Sequence, residues 1–292
     1  MASIALCIHY SIESPSLWKG NGGIARMVAL GKTKMANVKI RNIAHRGIWD
    51  DSVPQNTLKA FRLAWEAGAT WVETDFHRTA AGQMVCIHVE NELRRYTGCE
   101  KAIVDLTPEE VATLRLTPPN GEGERIPLLD EVLATVPRHG TLQAEIKGYA
   151  PDYPELFDAA VCAAGLTEEN IVVSSFKFDA LLDFHKRLPK YRTLFLLGVP
   201  KNGDVDVAAK TAQCAEAGFW AFCPGLCAND RPLTPDEADS VRATGMSFRV
   251  YGVNTPEALT VARDIGAEAF TCNHWRKAFE WAREIGGVEL LA

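Results

Sequence analysis

Ionisable side chains stand where several apolar runs of this chain end, and they are of the types that phosphoryl chemistry uses. The set comprises two histidines, three carboxylates and two cations: His45, His88, Glu73, Asp75, Glu145, Arg46 and Lys147. Cleavage of a phosphodiester requires a hard metal ion on the phosphate oxygens, cations against the charge, and an acid and a base for the ester oxygens. The set therefore indicates metal-dependent phosphodiester cleavage.

The three carboxylates are predicted to hold one divalent cation. Glu73 and Asp75 are two residues apart on a predicted strand, so both side chains face the same side of it. Glu145 ends a later predicted strand. Three carboxylates in one pocket repel each other unless a cation neutralises them. Because the set offers only oxygen ligands, it favours Mg²⁺ or Ca²⁺.

His45 and His88 are the predicted catalytic residues, since imidazole titrates near neutral pH. One histidine would activate the attacking group and the other would protonate the leaving alkoxide, and both assignments stay open. Arg46 suits a phosphate clamp because its guanidinium is a planar fork. Lys147 can add a second positive charge to a phosphate-binding site.

Short apolar runs alternate with helical patterns from residue 38 onward. The runs predicted as strands cover residues 38–44, 70–76, 141–146, 171–175, 193–197, 220–223, 247–253 and 267–271. Continuous apolar runs are typical of parallel strands that are buried on both faces. Eight such units predict an α/β fold, a (β/α)8 TIM barrel, whose strand ends converge at one mouth. An open doubly wound sheet is the alternative.

Two segments break this alternation. Residues 83–129 are predicted to form a small insertion between the second and third barrel strands, as an inserted subdomain over the barrel mouth. Residues 1–37 are predicted to be a partly disordered N-terminal extension that precedes a barrel domain at residues 38–292. A barrel with an extension and an insertion is therefore the predicted domain organisation.

The composition limits the classes of partner. The 292 residues carry a formal net charge of −6 without a basic stripe, which argues against a nucleic acid as the main partner. No apolar run approaches the roughly 20 residues of a membrane span, and the scattered cysteines are typical of reduced thiols. We therefore predict a cytoplasmic protein with a small-molecule phosphodiester substrate and no membrane partner. The oligomeric state stays open.

An ordered set of short motifs resembles the glycerophosphodiester phosphodiesterase family. The motifs are His45-Arg46-Gly47, Pro54-Gln55-Asn56-Thr57, Glu73-Thr74-Asp75, His88, Glu145-Ile146-Lys147 and Val253-Asn254-Thr255-Pro256-Glu257. The resemblance runs from about Ile43 to Trp275. It implies a barrel with a subdomain inserted after the second strand and a divalent metal on the three carboxylates. It also implies an acid–base pair of histidines and two phosphate-facing cations.

The chain departs from the usual family pattern at three places. Gln55 stands where the family usually has glutamate, and Val89 follows the second histidine where aspartate is usual. The final strand leads into Asn273-His274-Trp275, where the family usually ends in Thr-Asp. We interpret this as retained chemistry with a changed substrate-facing rim, to which Gln55 and Trp275 contribute as substrate-binding residues. A sugar phosphodiester of the agrocinopine type is a candidate substrate.

Three functions are compatible with these residues. The leading hypothesis is hydrolysis of a small glycerol- or sugar-containing phosphodiester to a phosphomonoester and an alcohol, with the two histidines as general acid and base. The second is a phosphodiester lyase or transferase that gives a cyclic or exchanged phosphodiester. The third is a catalytically silent phosphodiester-binding protein. The reaction product separates the first two hypotheses, because the same residues serve both.

Overall fold

The computed structural model describes residues 38–200, 202, 205–226 and 231–292. The predicted extension, residues 1–37, lies outside the described residues. In chain order the strands and helices are β1 (Val38–His45), α1 (Leu58–Glu66), β2 (Trp71–Arg78), β3 (Met84–Cys86), α2 (Glu90–Thr97), α3 (Pro108–Thr113), β4 (Arg115–Leu116), β5 (Glu124–Arg125), α4 (Leu129–Leu133), β6 (Thr141–Gly148), α5 (Tyr153–Ala163), β7 (Ile171–Ser175), α6 (Phe178–Arg187), β8 (Arg192–Leu197), α7 (Val207–Glu216), β9 (Ala221–Pro224), α8 (Pro235–Ala243), β10 (Ser247–Val250), α9 (Pro256–Asp264), β11 (Ala269–Cys272), α10 (Trp275–Ile285) and β12 (Val288–Leu291).

Eight parallel strands close into a barrel. Their order is β1-β2-β6-β7-β8-β9-β10-β11, and β1 pairs with both β2 and β11. Residues 44–45 of β1 align with residues 72–73, and residues 41–44 align with residues 269–272. An open sheet would leave two unpaired edges where this sheet closes on itself. The predicted (β/α)8 barrel is confirmed, and the doubly wound alternative is wrong.

Several helices begin where the sequence supplies a capping side chain. Thr57, Asp206, Thr234 and Thr255 each accept a hydrogen bond from a backbone amide in the first turn of the helix that follows. Such caps satisfy amides that have no partner within the helix. The helices then pack their apolar sides against the outside of the barrel. None of the helices in the described ranges is long and apolar enough to cross a membrane.

Side chains of the barrel strands alternate between the interior and the helix layer. Ile43 packs inside the barrel with Val172 and Leu194, whereas Ala44 packs with Phe61 beneath the helices. The odd-numbered residues of β1 therefore point inward, because successive residues of a strand face opposite sides. This alternation directs residue 41 to the amino end of the interior and residue 45 to the carboxyl end.

The insertion follows β2, as predicted. β3 pairs antiparallel with the end of β2, and β4 and β5 form a separate two-stranded sheet. A small core of its own holds the segment together, with Ile87, Leu93, Ile103 and Ile126 buried. The left-handed Gly98 ends α2, as expected for a residue that lacks a side chain. Within the short helix α2, Glu92 reaches the barrel mouth and contacts Arg46 and Gln55.

Candidate active site

The register of neighbouring strands brings the predicted carboxylates together at the carboxyl end of the barrel. His45 of β1 aligns with Glu73 of β2, and Asp75 of β2 aligns with Glu145 of β6. Each of the three carboxylates is buried, and one oxygen from each lies within 4.8 Å of the other two. The structure therefore places the three predicted metal ligands in one cluster.

Asp75 lies at the centre of this cluster. Its Oδ2 lies 2.9 Å from Arg46 Nε and accepts a hydrogen bond from Asn56 Nδ2 at 2.8 Å, while its Oδ1 lies 3.3 Å from Lys147 Nζ. Burial acts to raise the pKa of Asp75, but the two cations outweigh burial and hold the pKa well below its usual range. Asp75 is therefore ionised at neutral pH, as a metal ligand must be.

The two glutamates are less stable in their charged form. Burial and the neighbouring Asp75 raise the pKa of Glu73 well above its usual range. Burial raises the pKa of Glu145 to about 7, although Lys147 Nζ lies 2.7 Å from Glu145 Oε1. Glu73 Oε2 and Asp75 Oδ1 are buried and accept no hydrogen bond from any described residue. A divalent cation would neutralise these oxygens, so the donor set fits Mg²⁺ or Ca²⁺.

A strained turn after β1 directs Arg46 into the cluster. Arg46 has a φ of 60° and Asn56 a φ of 57°, in the left-handed region that few residues other than glycine adopt. The next residue is Gly47, where a Cβ atom would lie 2.6 Å from the carbonyl carbon of Ala60. The turn thus packs directly on α1. This explains why arginine and glycine follow the strand-end histidine.

Both predicted histidines donate from Nδ1. His45 Nδ1 hydrogen-bonds the side-chain oxygen of Asn273, and His88 Nδ1 lies 3.0 Å from Glu92 Oε1. These partner oxygens can only accept, so Nε2 is unprotonated in each neutral ring. Burial and the charge of Arg46 lower the pKa of His45 to about 3, and the same two causes lower the pKa of His88. Both rings are therefore neutral at neutral pH, and each presents an unprotonated Nε2.

Glu92 links three residues of the site, and sequence reasoning missed it. Its Oε1 accepts a hydrogen bond from Gln55 Nε2 at 2.6 Å and lies 3.3 Å from Arg46 Nη1. The same Arg46 nitrogen donates to Gln55 Oε1 at 3.1 Å. Gln55 therefore lies in the cluster, where Arg46 and Glu92 engage both ends of its amide, and its contact with substrate stays a prediction. The available signal was a spacing of four residues between His88 and Glu92, which places both on one face of a helical turn.

Trp275 lies apart from the other predicted site residues. Its indole Nε1 donates to the carbonyl oxygen of Asn42 at 3.0 Å, and Asn42 Nδ2 donates to the carbonyl oxygen of Trp275 at 2.9 Å. The ring packs against Phe279 in the layer between barrel and helices. This placement does not support the predicted contact with substrate. Phe176 instead presents a 43% exposed ring 5.6 Å from Lys147 Nζ.

The fold and the site together define a TIM barrel with a buried cluster for a divalent cation at its carboxyl end. The sequence model of the Glycerophosphoryl diester phosphodiesterase family matches residues 45–277. The chain therefore belongs to this family. The predicted enzyme class, a phosphoric diester hydrolase of the glycerophosphodiester phosphodiesterase type, is confirmed.

Individual relatives agree with this assignment. A glycerophosphodiester phosphodiesterase of Bacillus altitudinis is 32% identical over 233 residues, which are 77% of this chain and 91% of the relative. One from Caldanaerobacter subterraneus subsp. tengcongensis is 37% identical over 153 residues, which are 50% of this chain and 62% of the relative. The chain thus covers nearly all of the first relative and less than two thirds of the second.

Solved structures share the barrel. A glycerophosphodiester phosphodiesterase from Parabacteroides distasonis superimposes with a TM-score of 0.69 at 24% identity, over 86% of this chain and all of that one. An Oleispira antarctica phosphodiesterase in complex with the product sn-glycerol-3-phosphate gives 0.67 at 20% identity, over 83% of this chain and 96% of that one. At this identity the likeness establishes the fold alone.

Proposed function

We propose that this protein hydrolyses a small glycerol- or sugar-containing phosphodiester to a phosphomonoester and an alcohol, with one divalent cation, Mg²⁺ or Ca²⁺. The observation that carries the proposal is the meeting of three buried carboxylates, two histidines and two cations at one barrel mouth. The product bound to the Oleispira antarctica relative supports a glycerol-containing substrate. The proposed partner is therefore a small-molecule diester.

Glu73, Asp75 and Glu145 would hold the cation. When bound, the cation polarises a phosphoryl oxygen and stabilises the charge that develops during cleavage. Arg46 and Lys147 bind the remaining phosphate oxygens, and their contacts with Asp75 keep both of them protonated and oriented. Burial acts to lower the pKa of Lys147, yet Glu145 and Asp75 raise it above its usual value, so the ammonium stays charged at neutral pH.

The two histidines move the protons. One Nε2 accepts the proton of the attacking water, and the other, protonated in the substrate complex, donates a proton to the leaving alkoxide. The charge of the phosphodiester favours the protonated form of the ring that faces it. Asn273 fixes the ring of His45, and Glu92 fixes the ring of His88. Glu92 is therefore a positioning residue for both His88 and Arg46.

Two further features support a sugar-containing substrate and a cytoplasmic location, respectively. The exposed ring of Phe176 beside Lys147 suits stacking against a sugar ring, which supports a sugar-containing diester. Cys86, Cys214 and Cys272 are buried as thiols, which supports the proposed cytoplasmic location because thiols persist in a reducing compartment.

Phosphorus NMR tests the proposed reaction directly. The protein is incubated with a panel of glycerol, choline and sugar phosphodiesters, with Mg²⁺ or Ca²⁺ and then with a chelator. We expect a monoester signal that the chelator abolishes, and the substrate that gives it identifies the diester class. A cyclic phosphate would instead establish the lyase reaction. Diesters that bind without any product would favour the silent binding protein.

Two variants connect that reaction to the site. His45→Ala and Glu73→Ala should each abolish turnover while circular dichroism shows an unchanged fold. His139→Ala is the matched control, because His139 is exposed and lies outside the cluster. Normal turnover in either site variant would contradict the proposed roles.

A further inference from the structure

The amino end of the barrel carries a second group of cations, which the proposed reaction does not use. Arg41 of β1, Arg192 of β8 and Arg249 of β10 converge on the rings of Trp71 and Trp220, whose centroids lie 6.4 Å apart in a stacked pair. We call these five residues the amino-end arginine cluster. The register places it opposite the active site, because residues 41 and 249 both align with the first residue of β11.

All three guanidinium groups lie near the ring of Trp71, and two of them also lie near the ring of Trp220. The guanidinium carbon of Arg249 lies 4.6 Å from the ring centre of Trp71 and 4.3 Å from that of Trp220. The guanidinium carbon of Arg192 lies 5.2 Å from the ring centre of each tryptophan, and the guanidinium carbon of Arg41 lies 5.4 Å from the ring centre of Trp71. The free energy that a cation gains on an aromatic face is smaller than the free energy that it costs to remove the ion from water.

No aspartate or glutamate in the described ranges forms an ion pair with the arginines of this cluster. The arginines that form ion pairs with aspartate or glutamate in the described ranges include none of its three. Glu268 accepts a hydrogen bond from Ser247 Oγ, and Glu169 offers only its carbonyl oxygen to Arg192 Nη2. Arg41 Nη1 donates to Thr70 Oγ1 and to the backbone oxygen of Ala292. Arg192 and Arg249 thus have no ion-pair partner in the described ranges, although Glu169 and Glu268 act from a greater distance to raise their pKa values.

Arg249 is the most enclosed member of the cluster. Only 6% of the residue is exposed, and Nε donates to Ser247 Oγ at 3.2 Å. Its Nη1 is buried and has no hydrogen-bond partner among the described residues. Burial lowers the pKa of Arg249 to about 10, and repulsion by Arg192 and Arg41 acts in the same direction. A buried cation with an unused donor is unfavourable unless an anion completes the arrangement.

We propose that the amino-end arginine cluster binds a phosphate group, either inorganic phosphate or the phosphate of a small monoester. Guanidinium forks match the oxygens of phosphate in pairs. A tetrahedral phosphate offers four oxygens to three arginines, whereas a carboxylate offers only two. Arg41, Arg192 and Trp220 are partly exposed, so the ion reaches the site from solvent. The packed interior layer around Ile43 and Val172 separates this site from the active site.

Phosphate titration tests the proposal. The protein is titrated with inorganic phosphate into the millimolar range at constant ionic strength, with chloride as the reference anion. Calorimetry gives the stoichiometry, and tryptophan fluorescence reports on Trp71 and Trp220. Arg249→Met and Arg192→Met should each weaken phosphate binding by about tenfold or more, because each removes a charged donor. A repeat with glycerol 3-phosphate distinguishes the two sources, since the tighter ligand identifies which one the site prefers.

Two matched variants locate the binding. Arg94→Met removes one exposed positive charge elsewhere, and Lys147→Met removes a cation of the active site. Both should keep wild-type phosphate affinity at the amino end. Affinity that survives in Arg249→Met and Arg192→Met but disappears in Lys147→Met would overturn the proposal, as would a wild-type protein that shows no phosphate-dependent signal. Arg192 is partly exposed, so its variant decides the question if Arg249→Met fails to fold.

Discussion

The two ends of the barrel hold buried cations in opposite electrostatic settings. At the carboxyl end, burial acts to lower the pKa of Arg46, but Asp75 and Glu92 raise it above its usual value. At the amino end, burial lowers the pKa of Arg249 to about 10, and Cys223 and Glu268 offset only part of that change. Burial acts in the same direction on both arginines. The net direction of each arginine's pKa shift therefore shows whether the fold itself provides a counter-charge.

This difference predicts opposite ligands at the two ends. The carboxyl end contains four acidic side chains around two cations, Glu73, Asp75, Glu145 and Glu92 around Arg46 and Lys147. An excess of buried acid favours a bound metal cation. The amino end contains three arginines against aromatic rings, which favours a bound anion. Barrels of this kind can therefore separate two charged ligands by the length of their strands.

Asp75→Asn should have the largest effect, because it removes the carboxylate that both active-site cations share. The amide keeps the shape of the side chain but leaves Arg46 and Lys147 buried without their main counter-charge. We expect diester turnover to fall by about 10³-fold or more and the unfolding temperature to fall as well. Steady-state kinetics and thermal unfolding measure both. Asp236→Asn, at an exposed position, is the control. Unchanged turnover in Asp75→Asn would contradict the view that acidic side chains at the carboxyl end compensate its buried cations.

Glu145 should make the stability of the metal-free protein depend on pH. Its folded-state pKa is raised from 4.5 to about 7, so the folded protein binds more protons than the unfolded chain between these values. Stability should therefore fall, by on the order of 3 kcal/mol at most, as the pH rises through this window. Mg²⁺ replaces the proton, so it should stabilise the protein more at a pH above 7 than at a pH near 5.

Thermal unfolding in chelator and in Mg²⁺, across this pH range, checks that expectation. Glu145→Gln cannot titrate and should show a flatter dependence on pH in chelator. If the unfolding temperature changed equally with pH in the variant and the wild type, the pH dependence would belong to another group.

Glu92→Gln should lower kcat by about 10- to 100-fold with a smaller change in KM, because it disturbs the groups that orient the reacting residues. Adding Gln55→Glu to this variant places a carboxylate on the same Arg46 nitrogen, which Gln55 Oε1 contacts at 3.1 Å. We expect partial recovery of kcat, since the charge beside Arg46 returns while His88 still lacks its carboxylate.

Glu90→Gln is the control for this experiment, since Glu90 is an exposed residue of the same helix. A wild-type kcat in Glu92→Gln would exclude the positioning role. Full recovery in the double variant would assign the whole effect to Arg46.

Arg249→Met should have the smallest effect on stability. The sign of its change in unfolding free energy tests most directly whether the amino end lacks a counter-charge. In buffer without phosphate we expect an unchanged or slightly higher unfolding free energy, within about 1 kcal/mol, because an apolar side chain replaces a cation that lacks a counter-ion. Denaturant unfolding provides the measurement, and Arg46→Met should by contrast be strongly destabilised. A large loss of stability in Arg249→Met would show that the amino end already neutralises its charge.

Much of the fold follows from local patterns. The fourth barrel strand has the predicted bounds, residues 171–175. The predicted strand 247–253 ends earlier, at Val250, because Gly252 adopts a left-handed φ of 78° that no regular strand accommodates. Apolar runs and capping residues are properties of neighbouring residues, so they can be recognised without a tertiary structure.

The charged groups of the active site were predictable because they stand at the ends of strands, and a parallel barrel brings all such ends to one mouth. The sequence by itself therefore determined that the three carboxylates, His45, Arg46 and Lys147 meet there. His88 follows the antiparallel strand β3 of the insertion, so the convergence of the barrel strands does not account for its position. Only the tertiary structure decided that Glu92 supports Arg46, that Trp275 is buried, and that Arg249 lies between tryptophans without an acid. Charge compensation depends on distances between residues far apart in the chain, and no local pattern contains those distances.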